Sequence, residues 1–197
     1  MEEVSQIART FSPRVDALQS DLGVPAQVEG LAQQIEDTLG GVDILVFCAG
    51  VHSRGKIDTA PLVDLDSILQ INLRAPAQLM RDLLPSLIAR QGQAVFMNSS
   101  VGSAPEVGFY SASKHALKAY TDTLRAEVNP AGVRVLSVYP GRTATPMQES
   151  ICAAEGRSYD PSRLLQPQDI AEMVLAALCL PRTAEVTDLH IRAMRKS

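Results

Sequence analysis

No apolar run in this sequence reaches the length a bilayer crossing requires, so no membrane partner is expected. The opening, MEEVSQIART, is polar and acidic and does not read as a leader. Cysteine is scarce: Cys48, Cys152 and Cys179 are widely spaced and odd in number. They make no disulfide framework and point to a reduced, cytoplasmic setting. No Cys or His spacing matches a zinc site. An excess of positive charge is also missing. With 18 Lys and Arg against 22 Asp and Glu, the net charge of -4 argues against nucleic acid or an anionic membrane as partner. Internal repeats, low-complexity tracts and linkers are absent. The 197 residues are 46% hydrophobic and 20% charged, which fits one globular domain spanning 1–197.

What is present is an alternation of short apolar runs and longer helical stripes. Arg14 to Leu18 reads as a short strand, and residues 25–39 as a helix closed by Gly40-Gly41. Asp43 to Cys48, Ala94 to Met97 and Val133 to Tyr139 read as strands buried on both faces, with Val186 to Ile191 as a fourth. Stripes over 79–88 (interrupted by Pro85), 117–128 and 168–180 read as helices. The polar stretch 148–166 reads as a loop or short helical lid. Strands alternating with helices predict an α/β fold with a parallel sheet covered on both faces.

Tyr110 and Lys114 carry the chemistry. Four residues apart at the start of a helix, they share a face. An ammonium beside a phenol favours the phenolate and lowers its pKa, which suits proton exchange with an alcohol or a carbonyl. The spacing alone is weak, and Tyr110 by itself also reads as a core anchor.

Six segments in order change that balance: Asp21-Leu22 after the first run, Cys48-Ala49-Gly50 closing the next, Ile71-Asn72-Leu73, Asn98-Ser99-Ser100-Val101-Gly102, Tyr110 to Lys114, and Pro140-Gly141-Arg142-Thr143-Ala144-Thr145. Together they resemble the short-chain dehydrogenase/reductase family over nearly the whole chain. The resemblance implies a Rossmann-like three-layer fold and hydride transfer between NAD or NADP and a small-molecule carbonyl or secondary alcohol. It implies Tyr110 as proton donor or acceptor and Ser99 as the group that holds the substrate oxygen. Lys114 would tune Tyr110 and hold the nicotinamide ribose, and Asn72 would hold a water relay. Asp21, Leu22, Ala49, Gly50, Pro140, Gly141 and Thr145 would complete the cofactor contacts with Tyr110 and Lys114. It also implies a homodimer or homotetramer through a four-helix interface. Ser99 is preferred to Ser100 because it keeps the family's distances to Gly92 and Gly102.

Two departures stand out. Phe47 and Cys48 replace the family's paired Asn, and Cys48 reads as a small buried filler. The glycine-rich turn G-x-x-x-G-x-G, through which the family approaches a pyrophosphate, is absent. The expectation is a sheet lacking its first strand–helix–strand unit at the N-terminus, with the Ile44 strand left at an unpaired apolar edge. Either the protein is longer, or the Val15 strand fills the gap, or another chain does.

Plainer readings stand beside these. Asp21 suits a turn or a helix cap, Thr145 a cap on the following turn, and Asn72 a helix-interior amide. His52 is a candidate for the substrate pocket. Arg142 and Arg157 read as solvated surface arginines or as partners for an acidic substrate. A non-catalytic binding or scaffold remnant is the main alternative function. A Ser/Lys hydrolase built on Ser111 to Lys114 is the remoter one, since no companion motif accompanies it.

Overall fold

The computed structural model describes residues 2–194. A first helix, α1 (Glu2–Arg9), precedes a segment without regular structure that runs to Val24. The helix expected over 25–39 forms as two pieces, α2 (Pro25–Glu29) and α3 (Leu31–Leu39). They divide at Gly30, the one residue of the stretch with no side chain to favour a helix interior. Gly40, at φ 73, then ends α3 in the left-handed conformation that suits glycine.

The chain next runs β1 (Ile44–Phe47), α4 (Leu62–Leu69), a π-helical turn (Gln70–Arg74), α5 (Ala75–Ala89) and β2 (Gln93–Met97). It continues through α6 (Gly108–Val128), β3 (Arg134–Pro140), α7 (Pro146–Ala154), α8 (Pro167–Leu178) and β4 (Asp188–Ile191). The four strands form one parallel sheet in the order β1-β2-β3-β4. On one face Phe47, Ala94, Phe96 and Val135 pack against Leu79, Leu83, Leu117 and Leu124 of α5 and α6. On the other, Val95, Leu136 and Val138 meet Ile170 of α8. Layers of helix on both faces make this the Rossmann-like α/β fold that strand–helix alternation predicts.

Arg14 to Leu18 forms no strand and joins no sheet, contrary to the sequence reading. The strands it would have paired with in the family's order are not in this chain, so its backbone has no ladder to join. The Val15 segment therefore does not fill the gap. Among the described residues β1 pairs only with β2, and its other edge is open, as expected. Val46 stands opposite Val95 in the register, on the α8 face. There Ile44 and Val46 remain 48% and 44% exposed. Cys48, just beyond, is exposed rather than a buried filler, because no strand among the described residues pairs along this edge. The 148–166 stretch folds as α7 followed by a short 3-10 turn at Pro161–Arg163.

Candidate active site

Parallel strands bring their carboxyl ends to one side of the sheet, and every candidate after Leu22 reaches that side. Asn98, Ser99 and Ser100 follow β2, Pro140 and Gly141 end β3, and Ala49 and Gly50 follow β1. α6 starts just beyond β2, which sets Tyr110 and Lys114 one turn apart beneath the Ser99 loop.

The Tyr110 and Ser99 side chains face the same cavity, close enough for Ser99 to act on the phenol. Ser100 turns away, its hydroxyl donating to the Pro140 carbonyl at 3.0 Å. Burial pushes the Tyr110 phenol upward from its ordinary value, and the Ser99 contact lowers it in part. Lys114 is 6% exposed and donates to the Met97 carbonyl at 2.8 Å. Its ammonium lies 5.9 Å from the Tyr110 ring centre. Burial lowers its pKa to about 8. The simple expectation that the cation depresses the phenol is therefore outweighed, in the protein alone, by removal of both groups from water.

Asn72 sits in the π turn, where one extra residue per turn throws its carboxamide inward. Its Oδ1 accepts from Val51 N–H at 2.8 Å, and its Nδ2 donates to Val51 O at 2.9 Å and to Ser113 Oγ at 3.1 Å. Ser113 in turn donates to the Tyr110 carbonyl at 2.8 Å. A Cβ built on Gly50 would lie 3.4 Å from Asn72 Oδ1 and 3.7 Å from Lys114 Nζ. Asn72 thus ties the strand end that carries Gly50 to the helix that carries Tyr110 and Lys114.

Two concavities flank this cluster. One, of about 340 Å³, is lined by Ser99, Tyr110, Pro140, Gly141 and Thr145, with His52 among the other residues. The second, an open depression of about 600 Å³, is lined by Asp21, Leu22, Ala49 and Gly50. Asp21 there makes a turn, its carboxylate accepting from Gly23 N–H at 2.8 Å. Thr145 caps α7, accepting from Gln148 N–H at 3.2 Å. The His52 ring lies 4.7 Å from that of Tyr110, tilted by 57°. Burial first, and then Arg54, lowers the His52 pKa, while Glu155 opposes them.

Arg54 and Glu155 also line the smaller cavity, and sequence reasoning missed both. They lie 101 residues apart and share no motif, so no local signal announces the pair. Arg142 is part-buried and paired with Glu155, whereas Arg157 stays at the solvated surface as expected, touching Glu155 at 3.3 Å.

The residues present fit the nicotinamide half of a dinucleotide. The buried Nδ2 of Asn98 has no protein partner beside the Ser99 cavity, and the bare Cα of Gly50 leaves room against Lys114. The Asp21 depression suits a flat base. For the pyrophosphate between them, the sequence offers no glycine-rich turn.

A parallel α/β sheet with a Ser–Tyr–Lys–Asn cluster at its carboxyl ends is a dinucleotide-type architecture. Comparison with known proteins narrows it. The family model for short chain dehydrogenases matches residues 1–156. Dehydrogenase/reductase SDR family member 7B of Bos taurus is 35% identical over 193 residues, covering 90% of this chain and 59% of that protein. An alcohol dehydrogenase from Thermococcus sibiricus, solved with 5-hydroxy-NADP, superposes with a TM-score of 0.86 at 24% identity, covering 100% of this chain and 82% of that one. A xylitol dehydrogenase bound to NAD+ gives a TM-score of 0.84 at 22% identity, covering 98% and 84%. The chain belongs to the short-chain dehydrogenase/reductase family, and it spans 59% of the length of the bovine relative.

Proposed function

We propose that this chain carries the catalytic part of an NAD- or NADP-dependent oxidoreductase that interconverts a small carbonyl compound and its alcohol. The observation that carries the reading is that Ser99 and Tyr110 line one cavity, with Lys114 5.9 Å from the Tyr110 ring and Asn72 bonded to Ser113 behind it. Membership of the family supports it, as do structural neighbours solved with NADP or NAD+.

When bound, the nicotinamide supplies or accepts the hydride. The protein's own residues then do the following. Ser99 orients the substrate oxygen toward Tyr110. Tyr110 gives its phenolic proton to that oxygen in reduction and takes one back in oxidation. Lys114, charged at neutral pH, stabilises the phenolate left behind and holds ribose hydroxyls. Asn72 fixes Val51 and Ser113 around them, and the free lone pair on its Oδ1 is available to a water beside Lys114. Ala49, Gly50, Asp21 and Leu22 border the adenosine end, and Pro140, Gly141 and Thr145 the nicotinamide end.

Residues 1–197 act in this reading as a single Rossmann-like domain in the cytoplasm, in keeping with three free thiols. Among the described residues no helix is long and apolar enough to cross a membrane. The groove between α5 and α6, lined by Met80, Leu84 and Tyr120, is where a homodimer or homotetramer would form. Titrating the chain with NADH and NADPH by fluorescence, followed by turnover of small ketones, tests the proposal. Absence of binding at millimolar cofactor sinks it. That outcome would favour the second reading, a non-catalytic binding or scaffold protein, which the missing glycine-rich turn supports.

A further inference from the structure

The cavity above Tyr110 has a charged wall as well as a catalytic one. Glu155, the residue after α7, is only 15% exposed in its side chain. Its Oε2 and Oε1 accept from Arg142 Nη1 and Nη2 at 2.9 and 3.0 Å, a two-pronged fork. The same Oε1 accepts from Arg54 Nη1 at 2.9 Å, and Oε2 from Arg157 Nη1 at 3.3 Å. Arg54 is held from its other side by Glu106 at 2.8 Å. The arginines keep the Glu155 carboxyl below its usual range, so it is ionised at neutral pH.

We propose that Glu155 sets the charge class of the substrate: by filling Arg54 and Arg142 it reserves the cavity for uncharged carbonyl compounds and alcohols and turns away those bearing a carboxylate. The proposal rests on the oxidoreductase reading above. Each guanidinium that faces the cavity already has an anionic partner. An incoming carboxylate would have to displace Glu155, which is tethered in place and so competes at high effective concentration. A neutral ketone encounters none of this. The rest of the wall offers it Val101, Val107, Met147 and Ile151. Removing the Glu155 charge while keeping its shape leaves Arg142 without an anionic partner at the cavity, while Arg54 keeps Glu106, and an unpaired guanidinium fork is a geometry that binds a carboxylate.

The test compares 4-oxopentanoate with its methyl ester, which share a carbon skeleton and differ in charge. Their affinities for the full chain are measured by titration calorimetry, without cofactor, for the unaltered protein, Glu155→Gln and the double variant Arg142→Gln/Glu155→Gln. The unaltered chain should take the ester in preference to the acid. Glu155→Gln should gain affinity for the acid by about tenfold or more, and the double variant should lose that gain. A chain that already takes the acid as well as the ester, or a Glu155→Gln chain that gains nothing, overturns the proposal. If circular dichroism finds Glu155→Gln unfolded, Glu155→Asp takes its place. Its shorter carboxylate cannot span both guanidinia, and a gain of the same sign but smaller size is expected; no gain overturns the proposal equally. Ketone turnover with NADPH is read separately, so loss of the oxidoreductase reading is distinguishable from loss of the charge rule.

Discussion

Lys114 makes no ion pair among the described residues, yet it is buried beside Tyr110. Its pKa falls to about 8 from an ordinary 10.5. Between those values the unfolded chain keeps the proton that the folded chain has released. Stability therefore rises with pH through that window, and below pH 8 the full cost of the buried charge is present. The shift corresponds to about 3 kcal/mol, from which about 1 kcal/mol is subtracted for the Met97 hydrogen bond that a substitution would lose. Lys114→Met should thus stabilise the chain by about 2 kcal/mol at pH 7 while ending turnover. The gain should shrink by pH 10, which paired thermal melts would reveal. Tyr110→Phe keeps the ring against His52 and removes the proton. A kcat loss of about 100-fold or more with an unchanged melting temperature is the expected result. At this scale the sequence made Tyr110 and Lys114 legible because helical spacing sets them on one face and the ordered segments around them single the pair out. The orientations of Ser99 and Ser100 depend on how the β2 loop leaves the sheet. Glu155 and Arg54 meet only through the tertiary fold.

Among the elements, β2 was readable as a continuous apolar run, since a strand buried on both faces has no room for alternation, and β3 as a largely apolar run broken by Arg134 and Ser137. The approach of β2 to its neighbours was not readable. A Cβ on Gly92 would fall 2.6 Å from both the Asp43 carbonyl and Leu87 Cδ2. Gly92→Ala should therefore cost about 1–3 kcal/mol, seen as a lowered urea midpoint, because backbone and a buried side chain would both have to shift. Helix 25–39 was legible in kind but not in continuity, since a stripe of apolar residues carries across Gly30 while the backbone does not. The end of α7 shows the opposite balance. Thr145, a cofactor candidate by motif, satisfies an orphan N–H at the helix start, so Thr145→Ala should lower stability by about 1 kcal/mol, and Thr145→Ser should restore it.

For the molecule as a whole, the sequence predicted a sheet with an open apolar border, and Ile44 and Val46 present it. An unpaired, half-exposed strand is a template for another chain. Val46→Lys places a charge on that face, and should reduce concentration-dependent light scattering while changing stability by only about 0.5 kcal/mol. The strand end that carries Ala49 and Gly50 leaves this same border. Covering the border and shaping the Asp21 depression are consequently linked, and on the proposed function a partner strand laid along β1 should tighten cofactor titrations as well as improve solubility.

The wide turn at Gln70–Arg74 also makes the site sensitive to the length of one helix as well as to the identity of Asn72. Deleting Ile71 would let the coil relax to its ordinary pitch and swing Asn72 by roughly 100°. Val51 would then lose both bonds that moor it, and the loop bearing Gly50 would drift from the ammonium while every side chain named in the chemistry was still present.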